Sequence, residues 1–312
     1  MKEMMFELKP VTKHIIWGGE RLSRDYGMGE SGEKIAEAWE LTCRPDGDNT
    51  IIGGEYDGKL LSEFVRENPS ALGKNYKGDR FPLLIKLIDA EADLSIQVHP
   101  DDEYAAEHTD DMGKTEMWYI VDAAPGARLI YGMKEKYTRE TLKKAIADGT
   151  LESLMNYVEV KAGETYFIPS GLVHAIGAGI FIAEIQQNSN VTYRVYDYNR
   201  RQPDGSLRQL HIEPALDVIE RFDPSAVKAK HEGEVIASCK YFSVREKKVA
   251  GEAEVFAGDD SFLHLLVTTG DCIISCGDEK ISAKKGGSVF VAAASSGKVT
   301  LSGNATVLVS SI

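Results

Sequence analysis

The sequence predicts a mainly β protein with helical insertions, and three observations carry that prediction. Short apolar runs alternate with polar residues at a two-residue period, as in Leu94, Ile96 and Val98 against Ser95, Gln97 and His99. Glycine and proline interrupt such runs at short intervals, at Trp17-Gly-Gly19, Gly27-Met-Gly29 and Pro169-Ser-Gly171 among others. Apolar residues at helical spacing are confined to a few stretches: Leu60 to Glu67, a turn at Asp101 to His108, Tyr137 to Met155, and His211 to Phe222.

At 312 residues the chain can bury one large core, or one core and a smaller domain. The polar stretch Asp223 to Glu234 marks the division. Residues 1–222 read as the larger domain, 223–234 as a linker, and 235–312 as a C-terminal β domain. A formal charge of −13 without a cluster of Lys and Arg argues against a nucleic-acid partner, and a small anionic substrate would need a local basic pocket. The N-terminal run has acidic residues among its apolar ones, so it reads neither as a signal peptide nor as a membrane span, and the expected location is the cytoplasm. Cys43, Cys239, Cys272 and Cys276 include no CxxC pair and are too sparse for a disulfide framework; they read as reduced, mostly buried thiols.

In chain order, residues up to about 56 alternate short strands with Gly-rich turns, and Glu37 to Thr42 is a strand carrying Glu40 beside Trp39. Phe81 to Ile88 is a near-continuous apolar strand broken by Lys86, which is either a snorkelling stem at the strand end or a cation turned into a site. Next, Gln97 and His99 share one strand face, with Pro100 ending the ladder. A carboxamide and an imidazole side by side suit a divalent metal such as zinc.

Lys114 to Val121 is a strand placing Glu116, Trp118 and Ile120 on one face. A carboxylate among such neighbours is costly unless paired or bound to metal, which makes Glu116 a candidate third ligand. Thr138 is a candidate N-cap for the following helical insertion. Gly163, Pro169, Gly171 and His174 then follow a G-x5-P-x-G-x2-H spacing, a hairpin that can present His174 beside the first histidine strand. In Asn190 to Tyr198, Arg194 shares a face with Thr192 and Tyr196; it either pairs with Asp197 or Glu184 or faces a cleft. Arg200 and Arg201 follow on the same rim. Beyond residue 235 the short-strand rhythm continues without metal ligands, and His264 reads as structural. No Gly-rich phosphate loop and no GxSxG elbow occurs.

Together these motifs resemble the cupin superfamily, whose fold is a double-stranded β-helix or jelly roll with metal at its mouth. Gln97-x-His99-Pro-Asp-Asp, Lys114-Thr-Glu116 before an aromatic, the late His174, Arg194 in a Tyr-Arg-x-Tyr-Asp context, Trp17-Gly-Gly19 and Ala38-Trp-Glu-Leu41 resemble more closely the type I phosphomannose isomerases in their short bacterial form. The resemblance covers most of residues 1–222. It implies a cupin-type jelly roll with a smaller C-terminal β domain, and a zinc enzyme interconverting mannose 6-phosphate and fructose 6-phosphate. One Zn2+ per chain would lie among Gln97, His99, Glu116 and His174, with Arg194 and Lys114 as active-site cations. The longer members carry a carboxylate shortly before that arginine, where this chain has Ser189 and Asn190.

Aldose–ketose isomerisation passes charge onto an enediolate oxygen. It needs a Lewis acid or donor, a base and an anchor for phosphate. Lys86, Arg200 and Arg201 are further candidates for that anchor. Two other readings use the same residues: an iron or manganese cupin enzyme, since two histidines and a carboxylate also describe a non-haem iron site, and a non-enzymatic sugar-phosphate-binding module.

Overall fold

The computed structural model describes residues 4–222, 232–293, 295 and 297–312. Among the described residues strand accounts for 45% and helix for 16%, so the mainly β class holds. The chain divides into two compact units that are not contiguous in sequence: Met1–Lys13, Ala38–Leu87 and Ala229–Ile312 form one, His14–Glu37 and Ile88–Lys228 the other. The expected linear boundary differs from this division because Met5–Lys9 pairs antiparallel with Ser288–Val291, Met5 lying opposite Val291. Most of the expected linker, residues 223–231, lies outside the described residues.

The first unit is built on an eight-stranded sheet with long strands Ser243–Ala257, Leu263–Cys276 and Gly297–Ser311. Where the sequence suggested separate strands at Phe262 to Val267 and Asp271 to Ser275, one 14-residue strand runs through. One cluster of its core is aliphatic, with Leu265, Val267, Ile274, Val299, Leu301 and Val307 all buried, and another packs the rings of Phe6, Phe64, Phe262 and Phe290.

In the second unit, the five-stranded sheet has the order Met155–Glu159, Arg128–Met133, His174–Ile176, Ile96–Val98, Tyr193–Tyr196. Glu116–Ala123, flanked antiparallel by Thr165–Ile168 and Ile180–Gln187, belongs to a second sheet. The apolar cluster of Trp118, Ile120, Leu129, Ile168, Ile176 and Ile182 joins the two. On its other face the five-stranded sheet turns Ile96, Val98, Ile130 and Val195 toward the helices Arg139–Ala147 and Ile212–Glu220, which contribute Leu142, Ala145, Ala215 and Leu216. Burying one such aliphatic side chain contributes about 1.5–3 kcal/mol, so the helices hold the sheet from behind.

Local signals explain the ends of these elements. Thr138 caps the helix as expected, its side chain accepting from the Thr141 N–H. That helix is shorter than the stretch Tyr137 to Met155. Gly149, at φ 68, breaks it, Leu151–Leu154 is a 3-10 turn, and Met155 already begins a strand. Gly171 has φ 84, and a Cβ there would stand 2.7 Å from Phe222 Cβ, so only glycine makes the turn that delivers His174.

Candidate metal centre

Strand register aligns the site. His174 lies directly opposite Gln97, and Gln97 lies opposite Arg194 on its other neighbour. Opposed residues of antiparallel strands share a face. The three side chains therefore form one row across three strands, although 77 positions separate Gln97 from His174. His99 follows just past the end of its strand, on the same side as Gln97. From the second sheet, Glu116 completes the group. The ligand atoms of His99, Glu116 and His174 all lie within 4.8 Å of one another.

The imidazoles are oriented from behind. His99 Nδ1 donates to the Val191 carbonyl at 2.8 Å, and His174 Nδ1 donates to the Leu172 carbonyl at 2.8 Å. A ring whose Nδ1 proton is used in this way keeps a bare lone pair on Nε2. The two Nε2 atoms stand 3.1 Å apart. Glu116 Oε1 is 3.5 Å from His174 Nε2, and Glu116 Oε2 is 3.7 Å from His99 Nε2. The Gln97 amide reaches the same point, its Nε2 3.4 Å from His174 Nε2. Rotating that amide would present its oxygen instead.

Burial holds His174 neutral by pushing its pKa down to about 4, and His174 and Glu116 are both 0% exposed. Two imidazole lone pairs and a carboxylate converging in a dehydrated space repel one another unless a cation lies between them. This donor set fits a metal ion of the zinc type.

A cation adjoins this group. The Lys114 ammonium is 2.9 Å from Glu116 Oε2 and 4.0 Å from Glu184 Oε1. Glu184 Oε2 accepts the Trp118 indole N–H at 2.9 Å, and the Trp118 ring meets His174 edge-on with centroids 5.3 Å apart. Arg194 donates from Nη1 to the Gln209 carbonyl at 2.8 Å, while its buried Nε has no hydrogen-bond partner among the described residues.

Several expectations change here. Arg194 has no ion pair with Asp197 or Glu184. Asp197 is taken by Arg200 and Arg208, and Glu184 by Trp118 and Lys114. Nor does Tyr196 share the Arg194 face. A register shift after Arg194 sets Tyr196 opposite Ile96, and this bulge turns the ring into the helix-covered core.

Arg200 spends its guanidinium on Asp197 and the Asp93 carbonyl, and Arg201 donates to the Gly205 carbonyl at 2.7 Å. Neither is brought to the histidines. Lys86 falls in the other unit, buried, 5.7 Å from the Trp39 ring centroid there.

Glu184, which the sequence offers as a partner of Arg194, stands instead 4.0 Å from the Lys114 ammonium. A signal for it exists in the sequence. Ile182, Glu184 and Gln186 turn from apolar to polar toward one strand end, and they lie opposite Ile120, Trp118 and Glu116, which do the same. His211 and Gln209, which hold Arg194, carry no local signal of that role in the sequence, because the contact joins an edge strand to a separate segment.

Comparison with known proteins identifies the family. A family model described as phosphomannose isomerase type I, catalytic domain, matches residues 5–124, and one described as mannose-6-phosphate isomerase, cupin domain, matches residues 232–312. The cupin description thus falls on the segment read from sequence as the smaller C-terminal β domain. The chain is 38% identical to the putative mannose-6-phosphate isomerase YvyI of Bacillus subtilis, with 98% of each chain covered. It is also 38% identical to the mannose-6-phosphate isomerase of Streptococcus mutans, covering 92% of this chain and 91% of that one. The crystal structure of the mannose 6-phosphate isomerase from Bacillus subtilis superposes with a TM-score of 0.88 at 37% identity over 99% of both chains. With near-complete coverage at this identity, and with the histidine, glutamate and lysine motifs assembled in one unit, the chain belongs to the type I phosphomannose isomerase family.

Proposed function

We propose that the protein interconverts mannose 6-phosphate and fructose 6-phosphate through an enediolate, with one zinc ion held by Gln97, His99, Glu116 and His174. The observation that carries this reading is the convergence of two bare imidazole nitrogens and a carboxylate beside a buried lysine. When bound, the metal would supply Lewis acidity toward the substrate's oxygens.

The remaining work falls to the chain's own side chains. Glu116 and Glu184 keep Lys114 at the edge of the ligand group, where its ammonium can hold a substrate oxygen or move a proton. Arg194 is held through Nη1 by the Gln209 carbonyl and keeps its Nε without a hydrogen-bond partner among the described residues. A guanidinium with an uncommitted donor suits an oxyanion or a phosphate oxygen. Because Arg200 and Arg201 are engaged elsewhere, the anionic part of the substrate is assigned to Arg194 and Lys114. In this reading residues 1–222 carry the metal and the chemistry. Residues 235–312 contribute no ligand, consistent with the lack of any other His, Cys, Asp and Glu group of ligating geometry among the described residues.

The test is a coupled assay for fructose 6-phosphate formed from mannose 6-phosphate, on protein stripped with chelator and then given zinc, iron or manganese in turn. Turnover restored by zinc is the expected result. Restoration by iron or manganese alone would replace zinc in the proposal, and no turnover with any metal on folded protein would reject the isomerase.

A further inference from the structure

Arg194 stands on Tyr193–Tyr196, the outermost strand of the five-stranded sheet. An edge strand lacks a neighbour on one side, so its backbone groups there need other partners. His211 supplies them at Arg194. The His211 N–H donates to the Arg194 carbonyl at 2.7 Å, and the Arg194 N–H donates to His211 Nδ1 at 3.2 Å. Two residues earlier in the chain, the Gln209 carbonyl takes the arginine's Nη1. One short segment therefore grips both the backbone and the guanidinium of the same residue.

This grip is anchored in the core. His211 is the N-cap residue of Ile212–Glu220, whose Ala215, Leu216 and Val218 are buried against Ile96, Val98 and Val195 behind the sheet. The imidazole makes no capping bond to that helix, so the Arg194 amide is what Nδ1 serves. Accepting that bond requires a neutral ring with its proton on Nε2. Burial and the nearby Arg194 charge, which push the His211 pKa down, favour that state.

We propose that His211 is a positioning residue for Arg194: through Nδ1 and its backbone N–H it fixes the place of Arg194 on the edge strand, in the row that also holds Gln97 and His174. The proposal rests on the isomerase reading for its effect on turnover. Its structural content can be tested separately.

His211→Ala removes the acceptor, while His211→Asn returns one, because the amide Oδ1 occupies the place of Nδ1. In the metal-loaded enzyme, His211→Ala should lower kcat by about tenfold or more with a smaller change in KM, since displacement of a positioned group falls mainly on the chemical step. Metal content should stay at the wild-type level, and His211→Asn should recover most of kcat. Hydrogen exchange supplies the second readout. The Arg194 amide should exchange at least about tenfold faster in His211→Ala, with protection regained in His211→Asn and core amides unchanged in both.

Unchanged Arg194 exchange in His211→Ala would overturn the proposal whatever the reaction proves to be. So would a His211→Asn protein as impaired as His211→Ala although its core amides remain protected. If the wild type itself fails to convert mannose 6-phosphate, the isomerase reading falls, and the exchange result alone decides whether His211 holds Arg194.

Discussion

Each unit of the protein contains a fully buried histidine and a fully buried glutamate, and the two pairs differ in what surrounds them. His174 and Glu116 converge with His99 on one point, beside Lys114. In the other unit His264 Nε2 is hydrogen-bonded to Ser288 Oγ at 2.8 Å, and Ser288 Oγ donates to the Glu40 carbonyl. His264 Nδ1 and both Glu40 carboxyl oxygens have no hydrogen-bond partner among the described residues. Burial pushes the His264 pKa down to about 3 and that of His174 to about 4, so desolvation treats both rings alike. A perturbed buried residue is therefore no site by itself. What separates the two places is the convergence of donor atoms and the presence of a cation to balance them.

The largest expected contrast is between the two histidines. His174→Ala should lose metal and turnover together, kcat/KM falling by more than about 100-fold, beyond the usual cost of disturbing a residue behind a ligand. His264→Ala should keep metal and turnover per folded molecule and lose about 2–3 kcal/mol of stability through the vacated space and the altered Ser288 bonding. Metal analysis and denaturant titration of both variants check this. A fully metallated, active His174→Ala protein would remove His174 from the site.

Next come the arginines. Arg194→Ala should leave metal content and fold intact while lowering kcat by about 10²–10³-fold, the usual cost of losing one oxyanion donor. Arg201→Ala, which loses only an exposed bond to Gly205, should stay within about twofold of wild type. Equal kcat/KM values for the two variants would make Arg194 a structural residue.

The carboxyl groups give a contrast in charge. Glu116→Gln keeps the shape but takes the anion from beside Lys114 and the imidazoles, so metal affinity should fall by more than about tenfold in a competition titration with a chelating dye. Glu40→Gln should leave affinity unchanged, since Glu40 is not part of the ligand group and burial, which pushes its pKa well above the ordinary 4.5, disfavours its charged form.

The smallest effect is a slope with pH. The folded state keeps the Glu40 proton that the unfolded chain releases above 4.5, so this contribution is complete below that pH and declines as pH rises toward the folded value. The stability of the wild type minus that of Glu40→Gln should therefore fall by about 1.4 kcal/mol per pH unit between 4.5 and the folded value, measured by urea unfolding. Parallel curves for the two proteins would mean that Glu40 is ionised in the fold.

Much of this site was legible because its information is local. Alternation alone placed Gln97 and His99 on one face, a single carboxylate in an apolar strand marked Glu116, and the glycine and proline spacing marked the turn before His174. The Thr138 cap was readable for the same reason, since a cap is decided by a few neighbouring residues. The family was legible too, from motifs in a fixed order.

Other features depend on which distant strands pair and in what register, which no local period encodes. Register put His174, Gln97 and Arg194 in one row, and a bulge turned Tyr196 away from it. Pairing across the second sheet brought Glu184 to Trp118 and left its second oxygen near Lys114, while other neighbours claimed Asp197, Arg200 and Arg201. The sequence by itself thus determined the mainly β class, the family and the candidate ligands, because each rests on residues close together in the chain. Only the tertiary structure decided which charges face one another, because electrostatic partners are set by distance in space.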